Sequence, residues 1–108
     1  MTDLEMVKLC AEAMGFPHWM QNVPFTDKPI FCAAPYDLPG RIHPYNPLHD
    51  DAQAMALVKR FDLFVDRMAS KENGWMVKCD IGTGNAVICA DLNRAIVECV
   101  AQMQEKGK

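Results

Sequence analysis

The sequence predicts a small α+β domain of two layers, a three-stranded antiparallel sheet packed by helices. The order is helix, loop, helix, strand, strand, strand, helix. Three observations predict it. Apolar residues recur at three- and four-residue spacing near both ends of the chain. Between residues 62 and 89 they follow the shorter, alternating period of strands. All seven prolines fall between residues 17 and 47, separating the first helix from the regular remainder. The 108 residues read as a single domain, 1–108, with a Pro-rich loop at 17–45. A chain of that length buries roughly 60–70% of its unfolded surface, enough for one core without staples.

The opening Thr2-Asp3-Leu4-Glu5 has the capping-box pattern, with Thr2 as N-cap. Leu4, Val7, Ala11 and Met14 follow at helical spacing, and Gly15 supplies a stop. A helix of about three turns is marginal alone in water, so it must dock. Residues 17–45 then read as a loop, because proline removes backbone donors and holds its predecessor extended. Only Ile30-Phe31-Cys32-Ala33 is suited to an edge strand. Trp19, Phe25, Phe31 and Tyr36 favour a docked loop, and loops of this length tend to be functional.

Asn46-Pro47 predicts the start of the second helix, Asn as N-cap and Pro at the first helical position. Asp50 and Asp51 complement the positive end of its dipole. Ala54, Val58 and Phe61 form one face, beside Leu48, Met55 and Leu57. Its end is expected near Arg60, because Asp62–Asp66 is rich in strand-forming residues. Gly74–Ile81 pairs with that strand: Trp75, Val77 and Cys79 on one face, Met76, Lys78 and Asp80 on the other. Asn73-Gly74 suits the turn between them, and Gly82-Thr83-Gly84-Asn85 the turn before the short strand Ala86–Cys89. The last helix opens at Asp91 and carries the stripe Leu92, Ile96, Cys99 and Met103, widened by Val100. That stripe is expected against Trp75, Val77 and Cys79.

Composition excludes several classes. With 11 basic and 14 acidic residues the net charge is −3, unlike a protein that neutralises many phosphates. No apolar run reaches the roughly 18 residues that span a bilayer, and the acidic start lacks the basic region of a signal peptide. Five cysteines without a C-x-x-C pair argue against a disulfide framework or a zinc ribbon, so reduced thiols are expected.

The motifs are sparse. Gly82-Thr83-Gly84 lacks the third glycine and following helix of a dinucleotide loop, and reads as a hairpin turn. His43, His49, Asp50 and Asp51 could be read as metal ligands. Adjacent aspartates, however, diverge by about 100° around a helix, so capping explains them and no metal or cofactor is expected. Trp19 is a candidate for lining a binding loop, whereas Trp75 alternates with core positions. Lys59, Arg60, Arg67, Lys71 and Lys78 read as a solvated face, and the last helix opens with a single cation, so nucleic acid is not an expected partner. Among eight methionines, Met20, Met55, Met68 and Met76 are the candidates for surface or interface.

Two stretches, Tyr45-Asn46-Pro47-Leu48-His49-Asp50-Asp51-Ala52-Gln53-Ala54-Met55-Ala56-Leu57-Val58 and Asp91–Val100, resemble the phage ABA-sandwich family of small phage and prophage proteins. Met14-Gly15-Phe16 and the Trp75 strand add to the likeness, which covers residues 1–16 and 45–105 and leaves 17–44 unmatched. The resemblance implies an α/β sandwich and a phage origin, hence the cytoplasm of a bacterial host. It implies no reaction.

The functional expectation is a non-catalytic phage accessory protein that binds a host protein or sequesters a small ligand, as an anti-defence protein would. Trp19, Arg41, His43, Tyr45 and His49 are the expected contact residues, because loops on a rigid scaffold and aromatic or Arg anchors carry binding. The free backbone donors of a helix starting at Asn46 would seat an anion. Asp50 and Asp51 oppose one, so a host protein is favoured over a small anionic ligand. Self-association is compatible with the sequence. The alternative is a small enzyme acting on an anionic substrate through His43 or His49 beside Asp50.

Overall fold

The structure, a computed structural model, describes residues 2–22, 27–34, 44–67, 74–79 and 86–106. Among these residues it is an α+β fold of three helices and two antiparallel sheets. Helix α1 spans Asp3–Met14, α2 Asp51–Phe61 and α3 Leu92–Lys106; strands β1 (His18–Gln21) and β2 (Ile30–Ala33) form one sheet. Strands β3 (Leu63–Arg67), β4 (Trp75–Cys79) and β5 (Ala86–Cys89) form the other, in the order β3-β4-β5.

The helix ends follow local chemistry. Thr2 Oγ1 accepts from the Glu5 backbone N–H at 3.2 Å, fixing the start of α1. Gly15 closes α1 in the left-handed region at φ 75°, with Gly15 N–H donating to Glu12 O and Phe16 N–H to Ala11 O, both at 3.0 Å. The buried face of α1 is Met6, Val7, Cys10 and Ala11, with Met14 packed beside it; Leu4, expected on the stripe, is exposed.

The second helix starts later than Asn46-Pro47 suggests. Asn46 O accepts from the N–H groups of His49 and Asp50, each at 3.0 Å, so residues 46–49 form a turn. Asp50 is the N-cap: its backbone is extended and its Oδ1 accepts from Gln53 N–H at 3.0 Å. Two capping signals compete here, and the Asp50 signal wins because Gln53 is three residues on. Gln53 Oε1 accepts from Asn46 N–H at 2.7 Å and its Nε2 donates to Pro44 O at 3.0 Å, lashing the turn to the helix. The turn buries Tyr45, Pro47 and Leu48.

The Pro-rich stretch is likewise more regular than a loop. Pro17 and Pro29 lie just before β1 and β2, outside the ladder, so they cost it no hydrogen bond. The register pairs His18 with Ala33 and Gln21 with Ile30. Beyond β2 the chain returns beside it, bridging Cys32 to Pro44, with Tyr45 N–H donating to Phe31 O at 3.1 Å.

Helix α3 is the hub of the core. Ala95, Ile96, Val97, Cys99, Val100 and Ala101 are all buried, an arc too wide for one partner. It packs against β4 and β5 on one side and against α1 and α2 elsewhere. The expected core stripe holds: Ile96 and Cys99 are buried with Val77, and Leu92 and Met103 pack against them. Trp75 is half-buried rather than core, with the Arg67 guanidinium 5.5 Å over its ring. The Cys79 side chain and residues 68–73 and 80–85, where the two turns are expected and Met68 and Lys71 fall, lie outside the described residues.

Candidate functional site

A cleft of about 350 Å³ opens where the first turn of α1, strand β2 and the 44–49 turn meet. Leu4 and Val7 come from α1, Ile30 and Phe31 from β2, and Tyr45 and Leu48 from the turn. Asp3 and His49 also line it, both exposed. The site exists because the lashed turn carries Tyr45 onto β2 while Thr2 fixes where α1 begins. Tyr45 stands in an aromatic cluster, with ring centroids 6.0 Å from Phe16 and 6.5 Å from Phe31 in edge-on contact. His18 extends the cluster, 5.5 Å from Phe31.

The electrostatics of the cleft are modest. Asp3 Oδ1 lies 3.1 Å from the Arg94 guanidinium, whose Nε also pairs with Glu98 at 3.1 Å. Asp51 Oδ1 accepts from Asn93 Nδ2 at 2.8 Å, so the N-terminal ends of all three helices are tied at this end of the molecule. Asp50 is committed to its cap, and the exposed His49 makes no ion pair with it. The Tyr45 hydroxyl is buried with no hydrogen-bond partner among the described residues. Burial, and secondarily the Cys10 thiol, push its pKa above the ordinary phenol value, so it stays protonated. Burial likewise pushes the Cys10 thiol up to about 12, with a smaller push from Cys99. Its Sγ donates to Val97 O at 3.6 Å. Such groups serve packing rather than proton transfer, and what the cleft offers is an apolar recess with a polar rim.

Of the expected contact residues, the structure brings Tyr45 and His49 together in this cleft. Trp19 is half-buried on β1, paired with Cys32, and is not among the cleft residues. Arg41 and His43 lie outside the described residues, as do Phe25 and Tyr36. The anion seat at Asn46 is not formed, because the helix begins five residues later and Asp50 occupies its end. Among the described residues no three His, Cys, Asp or Glu side chains are grouped to hold a metal, and no helix is long and apolar enough to cross a membrane. Three of the predicted cations cover their own rings: Arg60 over Phe61, Arg67 over Trp75 and Lys78 over Phe64.

Sequence reasoning missed Leu4 and Ile30, which periodicity alone assigns to a core stripe and an edge strand. It also left unremarked the exposed apolar side chains Phe64 and Ile88 on one face of the β3–β5 sheet. Alternation along β3 and β5 carried that signal. No family model matches the chain, and no curated protein or solved structure matches it either.

Proposed function

We propose that the chain is a non-catalytic binding protein of phage or prophage origin that engages a host protein through the cleft between α1, β2 and the 44–49 turn. The carrying observation is the cleft itself: an apolar recess with Leu4, 43% exposed, among its lining residues and Asp3 and His49 beside it. Its volume, at the low end for ligand sites, suits one large apolar side chain of a protein partner. Asp3 keeps a carboxylate at the rim, held there by its pairing with Arg94. The same carboxylate, with Asp50 and Asp51 nearby in sequence, disfavours a small anionic ligand. The phage origin rests on the resemblance carried by Tyr45–Val58 and Asp91–Val100. An enzyme using His49 and Asp50 lacks support, because Asp50 caps α2.

The test is capture of host proteins on the immobilised chain, read by mass spectrometry, with Leu4→Arg compared with Met55→Arg. Both positions are exposed, and Met55 lies on α2 outside the cleft. The expected result is a partner held by the wild type and by Met55→Arg and lost by Leu4→Arg. Equal retention by a folded Leu4→Arg chain overturns the proposal.

A further inference from the structure

Among the described residues the β3–β5 sheet is covered on one face, by α3. The register assigns Leu63, Val65, Val77 and Val87 to the covered face, and Phe64, Asp66, Met76, Lys78, Ala86 and Ile88 to the other. Phe64 is 46% and Ile88 53% exposed, and Met76 between them is half-buried. The outer face therefore carries an apolar centre that nothing in the described residues covers.

Its charges are arranged in a particular way. Two rows cross the strands: Phe64, Lys78 and Ala86 in one, Asp66, Met76 and Ile88 in the other. Each row has one charge of opposite sign, and the two stand on diagonal positions of neighbouring strands. The Lys78 ammonium sits 5.0 Å over the Phe64 ring.

We propose that this face binds a second copy of the chain, about a two-fold axis running across the strands between the two rows. That operation lays each row over the other row of the second copy. Asp66 of the second copy then lands above Phe64, where the Lys78 ammonium already lies; it is offset sideways from Lys78 by one strand spacing of about 4.8 Å, across a gap of about 10 Å between the sheets that the two side chains span. The symmetric pair forms at the same time, so two Asp66–Lys78 contacts flank a centre of Met76 against the Lys78 stem and Ile88 against Ala86. A two-fold axis along the strands would instead put Lys78 over Lys78, which like-charge repulsion disfavours. The face is self-complementary, as a two-fold interface must be, and carries no net charge on a chain of net charge −3. Six side chains are far fewer than the roughly 20–30 per partner of a permanent interface, so the dimer is weak and reversible.

The experiment is sedimentation equilibrium of the whole chain from micromolar to millimolar concentration, with Asp66→Lys, Lys78→Glu, the double charge swap and Ile88→Lys. The wild type is expected to pass from monomer to dimer as concentration rises. Each single reversal turns two attractions into two repulsions and raises the dissociation constant about tenfold. The double swap restores the wild-type constant, and Ile88→Lys gives monomer throughout. Circular dichroism confirms that each variant is folded. A wild type that stays monomeric at every concentration overturns the proposal, as do single reversals without effect or a folded double swap that fails to restore association. None of these outcomes depends on the cleft at Leu4, whose substitution leaves this equilibrium unchanged.

Discussion

Gly15 and Gly74 share a backbone conformation, φ 75° and 70°, but not a neighbourhood, and the pair permits a clean separation of two costs. A Cβ on Gly15 meets nothing within 4 Å, so Gly15→Ala carries only the left-handed penalty of an L-residue, about 1–2 kcal/mol. Gly74 precedes β4 and lies against the chain leaving β5. A Cβ there stands 2.5 Å from Ala90 Cα and 2.6 Å from Cys89 O. Both contacts are backbone of the neighbouring strand, which can move only by opening the ladder. Gly74→Ala therefore adds an overpacking cost of about 1–3 kcal/mol to the same conformational penalty. Urea unfolding followed by circular dichroism reads both, as midpoint shifts at constant slope. With a slope of about 1–2 kcal/mol per molar, the Gly74→Ala midpoint should fall about 0.5–3 M below that of Gly15→Ala. Equal midpoints would falsify the close approach of β4 to β5 at this position, and with it the Trp75–Cys89 register.

Ile96→Ala, at the centre of the buried face of α3, should cost about 2–5 kcal/mol in the same assay; a loss under 1 kcal/mol would mean that α3 is rotated. Tyr45→Phe removes a buried hydroxyl without a partner among the described residues and should raise stability by about 1 kcal/mol, whereas a loss would show that the hydroxyl is bonded. The Cys10 thiol, raised from 9.0 to about 12, holds its proton in the folded chain over a range where the unfolded chain releases it. Its contribution is complete below pH 9 and is lost as pH rises toward 12, at about 1.4 kcal/mol per pH unit, so Cys10→Ala should flatten the alkaline limb of stability against pH. Cys10, Cys32 and Cys99 are buried and Cys89 half-buried, all without disulfides; mapped by mass spectrometry, alkylation of the folded chain should reach Cys89 first of these four, and all four once unfolded.

The elements legible in the sequence were those whose local signals agree. In α3, an Asp91 N-cap and an unbroken apolar stripe point to one answer, and in β4 Val77 and Lys78 fall on opposite faces as a strand requires. Where signals conflict, tertiary structure decides. Asn46-Pro47 and Asp50 each suit a helix start, and only the two hydrogen bonds of Gln53 select the second. Proline counts mark 17–45 as irregular, yet what matters to a ladder is whether a proline needs to donate, and Pro17 and Pro29 do not. The candidate site was legible only in part for a related reason. Tyr45 and His49 stood out by residue type, but their neighbours Leu4 and Ile30 reach the same cleft through contacts that no local pattern encodes. Trp19 reads as an anchor because it is a large aromatic among prolines; pairing with β2 half-buries it, and it does not line the cleft.

The bond from Cys10 to Val97 spans 87 residues and shows when this chain can become a folded object. In synthesis α1 is made before α3, so Met6, Val7, Cys10 and Ala11 lack their cover until α3 follows. The helix that shields them is made only after both sheets. At about 5–20 residues per second, the wait from Cys10 to Val97 is roughly 4–17 s. Over that interval the sheets have no central helix to close on, and most of the future interior is open to solvent. The order of synthesis therefore makes closure of the core wait on α3, an interval in which exposed apolar segments are open to aggregation or to chaperones.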